Sequence, residues 1–186
     1  RSHNTLKALQ NAENAKAVGA DAALMVTPYY NKSTQKGMIE HFFYVADRVE
    51  IPLIVYNVPS RTAIGLTAES YQVLSQHPNI NGVKEASGDL SLIVKTRSLC
   101  GGDLSIWSGN DDNTIALMAL GAKGVISVVS NLIPAVVTKL SSLCIENNFA
   151  GAVELYRRYA ALFSTLFIET NPIPIKAAMK LMDLDS

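Results

Sequence analysis

The 186-residue chain has two cysteines, one tryptophan, and no apolar run that reaches the length of a membrane span. A helical span needs about 18 consecutive apolar residues, so no membrane anchor is expected. Cys100 and Cys144 lie far apart and form no metal-ligand pair, which predicts a reduced, intracellular protein. Neither charge sign dominates: 16 basic residues balance 16 acidic ones, and no basic stretch favours nucleic acid or an anionic membrane as partner. There is no Gly-x-Gly-x-x-Gly and no Gly-Lys-Ser/Thr loop, so nucleotide binding has no support. His3, His41 and His77 fall in separate segments without metal-ligand spacing. Most of them read as surface residues. Ser108-Gly109 lacks the flanking pattern of a nucleophile elbow. No signal peptide is visible. The chain opens with Arg1 in helical sequence, which reads as a cut end.

What is present is an alternation of short β-rich runs with longer helical patterns. The runs are Ala22–Pro28, Pro52–Val58, Ile80–Ala86, Leu104–Gly109 and Gly124–Ser130, with starts 30, 28, 24 and 20 residues apart. That spacing suits one strand and one crossover helix per unit. Several runs are almost continuously apolar, as in a parallel sheet buried on both faces. Thr67 is placed to cap a helix over Ala68–Gln76. Asp111 and Asp112 open a further helix that Gly121 closes. Beyond residue 133 the pattern is helical, with Tyr156, Tyr159, Leu162, Phe163 and Leu166 forming one stripe. The expected fold is α/β: five units of a (β/α)8 TIM barrel, about strands 4–8, followed by C-terminal helices. A closed barrel usually takes about 250 residues. Residues 1–147 form the partial barrel in this reading, and residues 148–186 a C-terminal helical region.

Polar groups gather at the C-terminal ends of these strands, the end that carries barrel active sites. Lys84 lies within or at the end of the strand in the third run. A buried ammonium is costly unless it is paired or loses its proton, and a neutral amine attacks carbonyls. A structural lysine paired with Glu85 fits the position equally well. Tyr56 ends the adjacent run and is placed to project beside Lys84, where a phenol can relay protons. A hydrogen-bonded rim tyrosine is its structural alternative. Arg61 follows on a loop, with a guanidinium fork suited to a carboxylate or to a loop salt bridge. Tyr29 and Tyr30 are adjacent and point apart, which allows two separate roles or rim packing.

Taken together, Val26-Thr27-Pro28-Tyr29-Tyr30-Asn31-Lys32, Tyr56-Asn57-Val58-Pro59-Ser60-Arg61-Thr62 and Gly82-Val83-Lys84-Glu85-Ala86-Ser87-Gly88-Asp89 resemble the dihydrodipicolinate synthase family. This family belongs to the superfamily that includes N-acetylneuraminate lyase. Trp107-Ser108-Gly109-Asn110-Asp111, Gly124–Val128 and Asn171–Lys176 add to the resemblance, which runs from about residue 19 to 180. It implies a class I aldolase-type lyase that condenses pyruvate with L-aspartate 4-semialdehyde to 4-hydroxy-tetrahydrodipicolinate, at the entry to lysine biosynthesis through diaminopimelate. Lys84 would form the imine with pyruvate, and Tyr56 would relay protons. Tyr30 would join that relay in a neighbouring subunit. Arg61 would hold the aspartate-semialdehyde carboxylate. The Ile126 main chain and Gly109 would contact substrate. The resemblance further implies a cytoplasmic (in plants, plastid) homotetramer built as a dimer of dimers, with no metal or nucleotide cofactor.

Two departures stand out. The family's early Thr-Thr-Gly-Glu segment is absent. Lys7, with His3 nearby, occupies the place of a glutamate common in lysine-inhibited members, so Tyr29 would line a weakened inhibitor site. Two other readings remain open. One is a sister pyruvate-dependent lyase acting on sialic or keto-sugar acids, which Pro59-Ser60-Arg61 argues against. The other is an inactive fragment serving as an assembly or binding module.

Overall fold

The computed structural model describes residues 2–184. Arg1, read as a cut end, and the last two residues of the expected helical region lie outside them. In chain order the elements are α1 (Thr5–Ala17), β1 (Ala23–Val26), α2 (Gln35–Ala46), β2 (Leu53–Asn57), α3 (Pro59–Thr62), α4 (Ala68–Leu74), β3 (Ile80–Glu85), α5 (Leu90–Cys100) and β4 (Ser105–Ser108). Then come α6 (Thr114–Ala119), β5 (Gly124–Val125), α7 (Pro134–Ile145), α8 (Phe149–Thr165) and α9 (Ile173–Leu181). Each strand falls inside one of the five expected runs.

Local chemistry sets the helix starts. Asn4, Thr34, Thr67, Asp89 and Asn148 each accept a backbone N–H three residues on, closing the first turns of α1, α2, α4, α5 and α8. Proline opens α3 and α7, where a missing N–H costs nothing. Asp111 and Asp112 open the expected helix as a 3-10 turn over Asp111–Asn113 that runs into α6, and the Asp111 carboxylate makes bonds beyond this turn, as described below.

The strands hydrogen-bond in the order β1-β2-β3-β4-β5. β1 pairs parallel with β2, placing Val26 beside Tyr56, and β2 pairs parallel with β3, placing Tyr56 beside Lys84. The chain divides into two compact units, Arg1–Trp107 and Ser108–Ser186.

In the first unit, alternation along the strands, interrupted in β3 by one unpaired extra residue at Asn81, separates two rows of side chains. Leu53, Val55, Ile80 and Val83 are buried, together with Phe42 and Val45 of α2, Tyr71 and Leu74 of α4 and Ile93 of α5. Each such side chain removed from water contributes roughly 1.5–3 kcal/mol. Leu24, Ile54, Tyr56 and Lys84, of the other row, are exposed or half-buried. Gly82 is required by close packing: a Cβ there would meet the Ser105 carbonyl at 2.7 Å and the Trp107 ring. His41 corrects the surface assignment. It lies on the buried face of α2 with Met38 and Phe42 and is 5% exposed. Its Nδ1 sits 2.8 Å from Thr5 Oγ1. His77 is also largely covered, and its Nε2 meets Asp47 at 3.0 Å.

The second unit has its own core of Val129, Leu132, Val137, Phe163, Leu166 and Ile175. The expected aromatic stripe of α8 packs here, with Tyr156 edge-on to Phe163. Ile126 donates its N–H to the Ser108 carbonyl at 2.9 Å.

Candidate active site

The strand register brings Lys84 and Tyr56 together. They are direct cross-strand partners on the row that is not packed under helices. The Lys84 Nζ lies 4.4 Å from the centroid of the Tyr56 ring, close enough for a cation–π contact in the ammonium form. An amine and a phenol on adjacent strand ends form a nucleophile with a nearby acid–base group.

Glu85 does not share Lys84's surroundings. Being next in the strand, it projects to the opposite face and is 2% exposed. There its carboxylate accepts from the Tyr71 hydroxyl at 2.5 Å, the Ser87 N–H at 2.7 Å, and the Asn57 side-chain amide at 3.0 and 3.1 Å to its two oxygens. Burial first, and then the adjacent Glu85 charge, push the Tyr71 hydroxyl well above the usual phenol range, so it stays a donor. Asn57 completes the arrangement: its Oδ1 accepts the Leu66 N–H at 3.1 Å. That bond ties down the segment after β2, which includes α3 and Arg61. Sequence reading missed this cluster. A signal existed, because Asn57 and Glu85 follow Tyr56 and Lys84 with the same spacing of 28 residues. Equal spacing in paired parallel strands places both couples side by side.

Arg61 lies in α3, which ends at Ala63 with a left-handed backbone of φ 59°. Tyr30 is 85% exposed and also has a positive φ, of 74°, a conformation uncommon outside glycine. Tyr29 behaves differently: its ring packs edge-on against His3 at 5.3 Å. These two line a cavity of about 270 Å³ with Asn31, Lys32 and His41. Lys7 donates to Gln10 at 2.8 Å.

In the second unit, Asp111 is the counterpart of Glu85. It is 3% exposed. Its carboxylate accepts from the Ser127 hydroxyl and from the backbone N–H groups of Val128 and Val129, the latter two at 2.9 and 3.3 Å. Ser127 Oγ in turn accepts the Ser130 N–H at 2.9 Å. Asp111 thereby organises the turn directly after Ile126. Burial first, then the charges of Asp112 and Asp111, raise the Tyr156 hydroxyl above its ordinary value. Gly109 lies in the bend between β4 and Asp111. Among the described residues no three His, Cys, Asp or Glu side chains gather as a metal site, and no helix is long and apolar enough to cross a membrane.

The model of the dihydrodipicolinate synthetase family matches residues 2–186. The chain belongs to this family. It is 47% identical over 182 residues to a 4-hydroxy-tetrahydrodipicolinate synthase of Thermoanaerobacter sp. (strain X514), an alignment spanning 97% of this chain and 61% of the relative. The synthase of Sulfurihydrogenibium sp. is 45% identical over 183 residues, covering 98% and 62% of the two chains. The crystal structure of dihydrodipicolinate synthase from Aquifex aeolicus superposes with a TM-score of 0.96 at 42% identity, over 100% of this chain and 64% of that one. A pyruvate complex of the Acinetobacter baumannii synthase gives 0.97 at 40% identity, again over 100% and 64%. The chain thus spans less than two thirds of these relatives. The five-stranded parallel sheet with its helices is the corresponding part of the family's barrel.

Proposed function

We propose that the chain carries the Schiff-base centre of a 4-hydroxy-tetrahydrodipicolinate synthase. The observation that carries this reading is the Lys84–Tyr56 pair, set cross-strand at the C-terminal ends of β2 and β3 in a member of this family. Neutral Lys84 Nζ attacks C2 of pyruvate, and the carbinolamine loses water to give the imine. Tyr56 relays protons in that step and in loss of a C3 proton, which yields the enamine. The enamine carbon then bonds to the aldehyde carbon of L-aspartate 4-semialdehyde, whose oxygen takes up a proton. That substrate's own amino group attacks the C2 imine, closing the ring as the C2–Nζ bond breaks and the Lys84 amine is released. Arg61 holds the second substrate's carboxylate through paired N–H donors.

The exposed Tyr30, on its left-handed backbone, suits a side chain offered to a neighbouring subunit, as in a homotetramer. The Ile126 main chain is assigned to pyruvate, and Gly109 to substrate binding, on family resemblance alone. The reaction draws on no metal or nucleotide cofactor in this reading, and the protein works in the cytoplasm. By resemblance Lys7, with His3 nearby in sequence, stands where lysine-inhibited relatives carry a glutamate, so a lysine inhibitor would meet positive charge from Lys7 and millimolar lysine should inhibit weakly or not at all. Strong inhibition would refute that last point.

The test is borohydride reduction of the full-length protein with pyruvate, followed by peptide mass spectrometry. One pyruvate-derived group on Lys84 is expected, and none in Lys84→Arg. Unmodified Lys84 would overturn the reading. Turnover of aspartate semialdehyde, compared with cleavage of sugar acids, separates the synthase from a sister lyase.

A further inference from the structure

We infer that Glu85 is a positioning residue for the Lys84–Tyr56 pair and for the loop of Arg61, an inference that rests on the Schiff-base reading above. Four observations support it. Glu85 and Asn57 each directly follow a proposed catalytic residue, so the backbone that orients Lys84 and Tyr56 is the backbone they anchor. The Asn57 amide bridges both Glu85 oxygens, which cross-links β2 and β3 at their ends, on the side opposite the reacting groups. The Ala86 N–H donates to the Asn57 carbonyl at 2.9 Å and continues the ladder at that point. Finally, Asn57 Oδ1 holds the Leu66 N–H, so the same side chain closes the segment of Arg61. One buried carboxylate therefore fixes the nucleophile, its proton relay and a substrate clamp together.

The donor pattern is specific enough to be reversed. In Glu85→Gln, whichever way the new amide turns, its NH2 faces the Asn57 NH2, because Asn57 bonds both oxygens. In Asn57→Asp, two carboxylates face each other. The double exchange, Asn57→Asp with Glu85→Gln, restores one donor opposite one acceptor and leaves an oxygen for the Leu66 N–H.

The experiment uses full-length protein and measures the single-turnover rate of borohydride-trappable imine formation with pyruvate, kcat, KM and the melting temperature. Each single variant should remain folded and lose roughly 10- to 100-fold in imine rate and kcat, as expected for a small misplacement of reacting groups. KM for pyruvate should move less than kcat. The double exchange should recover most of the rate lost. Folded single variants with wild-type imine rates would overturn the inference. So would a double exchange that restores the melting temperature but not the rate. If the single variants do not fold, Tyr71→Phe decides: it keeps the carboxylate, removes one donor and should slow imine formation severalfold, and a wild-type rate would refute positioning. Wild-type protein that traps no pyruvate would overturn the Schiff-base reading itself, and this inference with it, before any variant is read.

Discussion

Glu85 and Asp111 are both almost completely buried acids at strand ends, yet they are held by different kinds of group. Glu85 is held mainly by side chains, the Tyr71 hydroxyl and the Asn57 amide, with one backbone N–H from Ser87. Asp111 is held mainly by main chain, through the N–H groups of Val128 and Val129, with one hydroxyl from Ser127. A side-chain cage can be edited one partner at a time. A backbone cage cannot, because its donors belong to the turn itself. Asp111 is thus the harder of the two to replace outright, while Glu85 is the more sensitive to small changes in its neighbours.

The largest expected effect breaks the backbone cage. Asp111→Ala leaves the buried Val129 N–H and the half-buried Val128 N–H and Ser127 hydroxyl without their acceptor and should cost about 3–5 kcal/mol, since a buried orphaned group costs about 1–3 and half-buried ones less. Denaturant unfolding measures it, and a loss under 1 kcal/mol would mean that water replaces the carboxylate. Next comes a direct contest of amides. In Asp111→Asn the new NH2 can turn toward Ser127 Oγ, a hydroxyl able to accept. In Glu85→Gln it collides with the Asn57 donor. Glu85→Gln should therefore be the more destabilising by roughly 1–2 kcal/mol, and the reverse order would refute the donor assignment. Tyr71→Phe removes one hydrogen bond from the Glu85 cage and should cost about 1.5–3 kcal/mol, the range for a bond to a charged acceptor.

The smallest effect concerns pH. Burial lowers the pKa of His41 below its ordinary 6.5. As pH falls through that value, the unfolded chain takes up a proton that the folded chain refuses. The unfolded state then binds more protons, so stability declines on acidification below about 6.5 until the folded histidine also titrates. His41→Gln should flatten that part of the curve in melting experiments run from pH 7 down to 5.

Much of this molecule was legible in the residues. Period and spacing gave all five strands, because a crossover unit imposes a nearly fixed length. Lys84, Tyr56 and Arg61 stood out because ionisable groups at the ends of apolar strands are conspicuous. The two carboxylate cages were not read. Glu85 looked like a partner for Lys84, because adjacency in sequence suggests contact, whereas strand alternation sends adjacent side chains apart. Asp111 read only as the opening of a helix, because its position before an apolar run fits that role. Its real partners lie 16 to 18 residues further on, a distance that local pattern cannot bridge. His41 was misplaced for a related reason: one polar residue on a helix reads as exposed until the packed face is known.

The matched spacing of Tyr56–Asn57 and Lys84–Glu85 also limits how this segment can tolerate change in length. β3 carries one extra, unpaired residue at Asn81 that could absorb a loss there, but β2 has none. Losing one residue within β2 ahead of Tyr56 would shift the register by one place, stand an amide beside Lys84 and drive the phenol under the helices. Substitutions here can be graded in their effect, but a single-codon deletion inside β2 should be close to all-or-nothing. Length variation among functional descendants of this chain should therefore collect in the turns between the strands and spare β2.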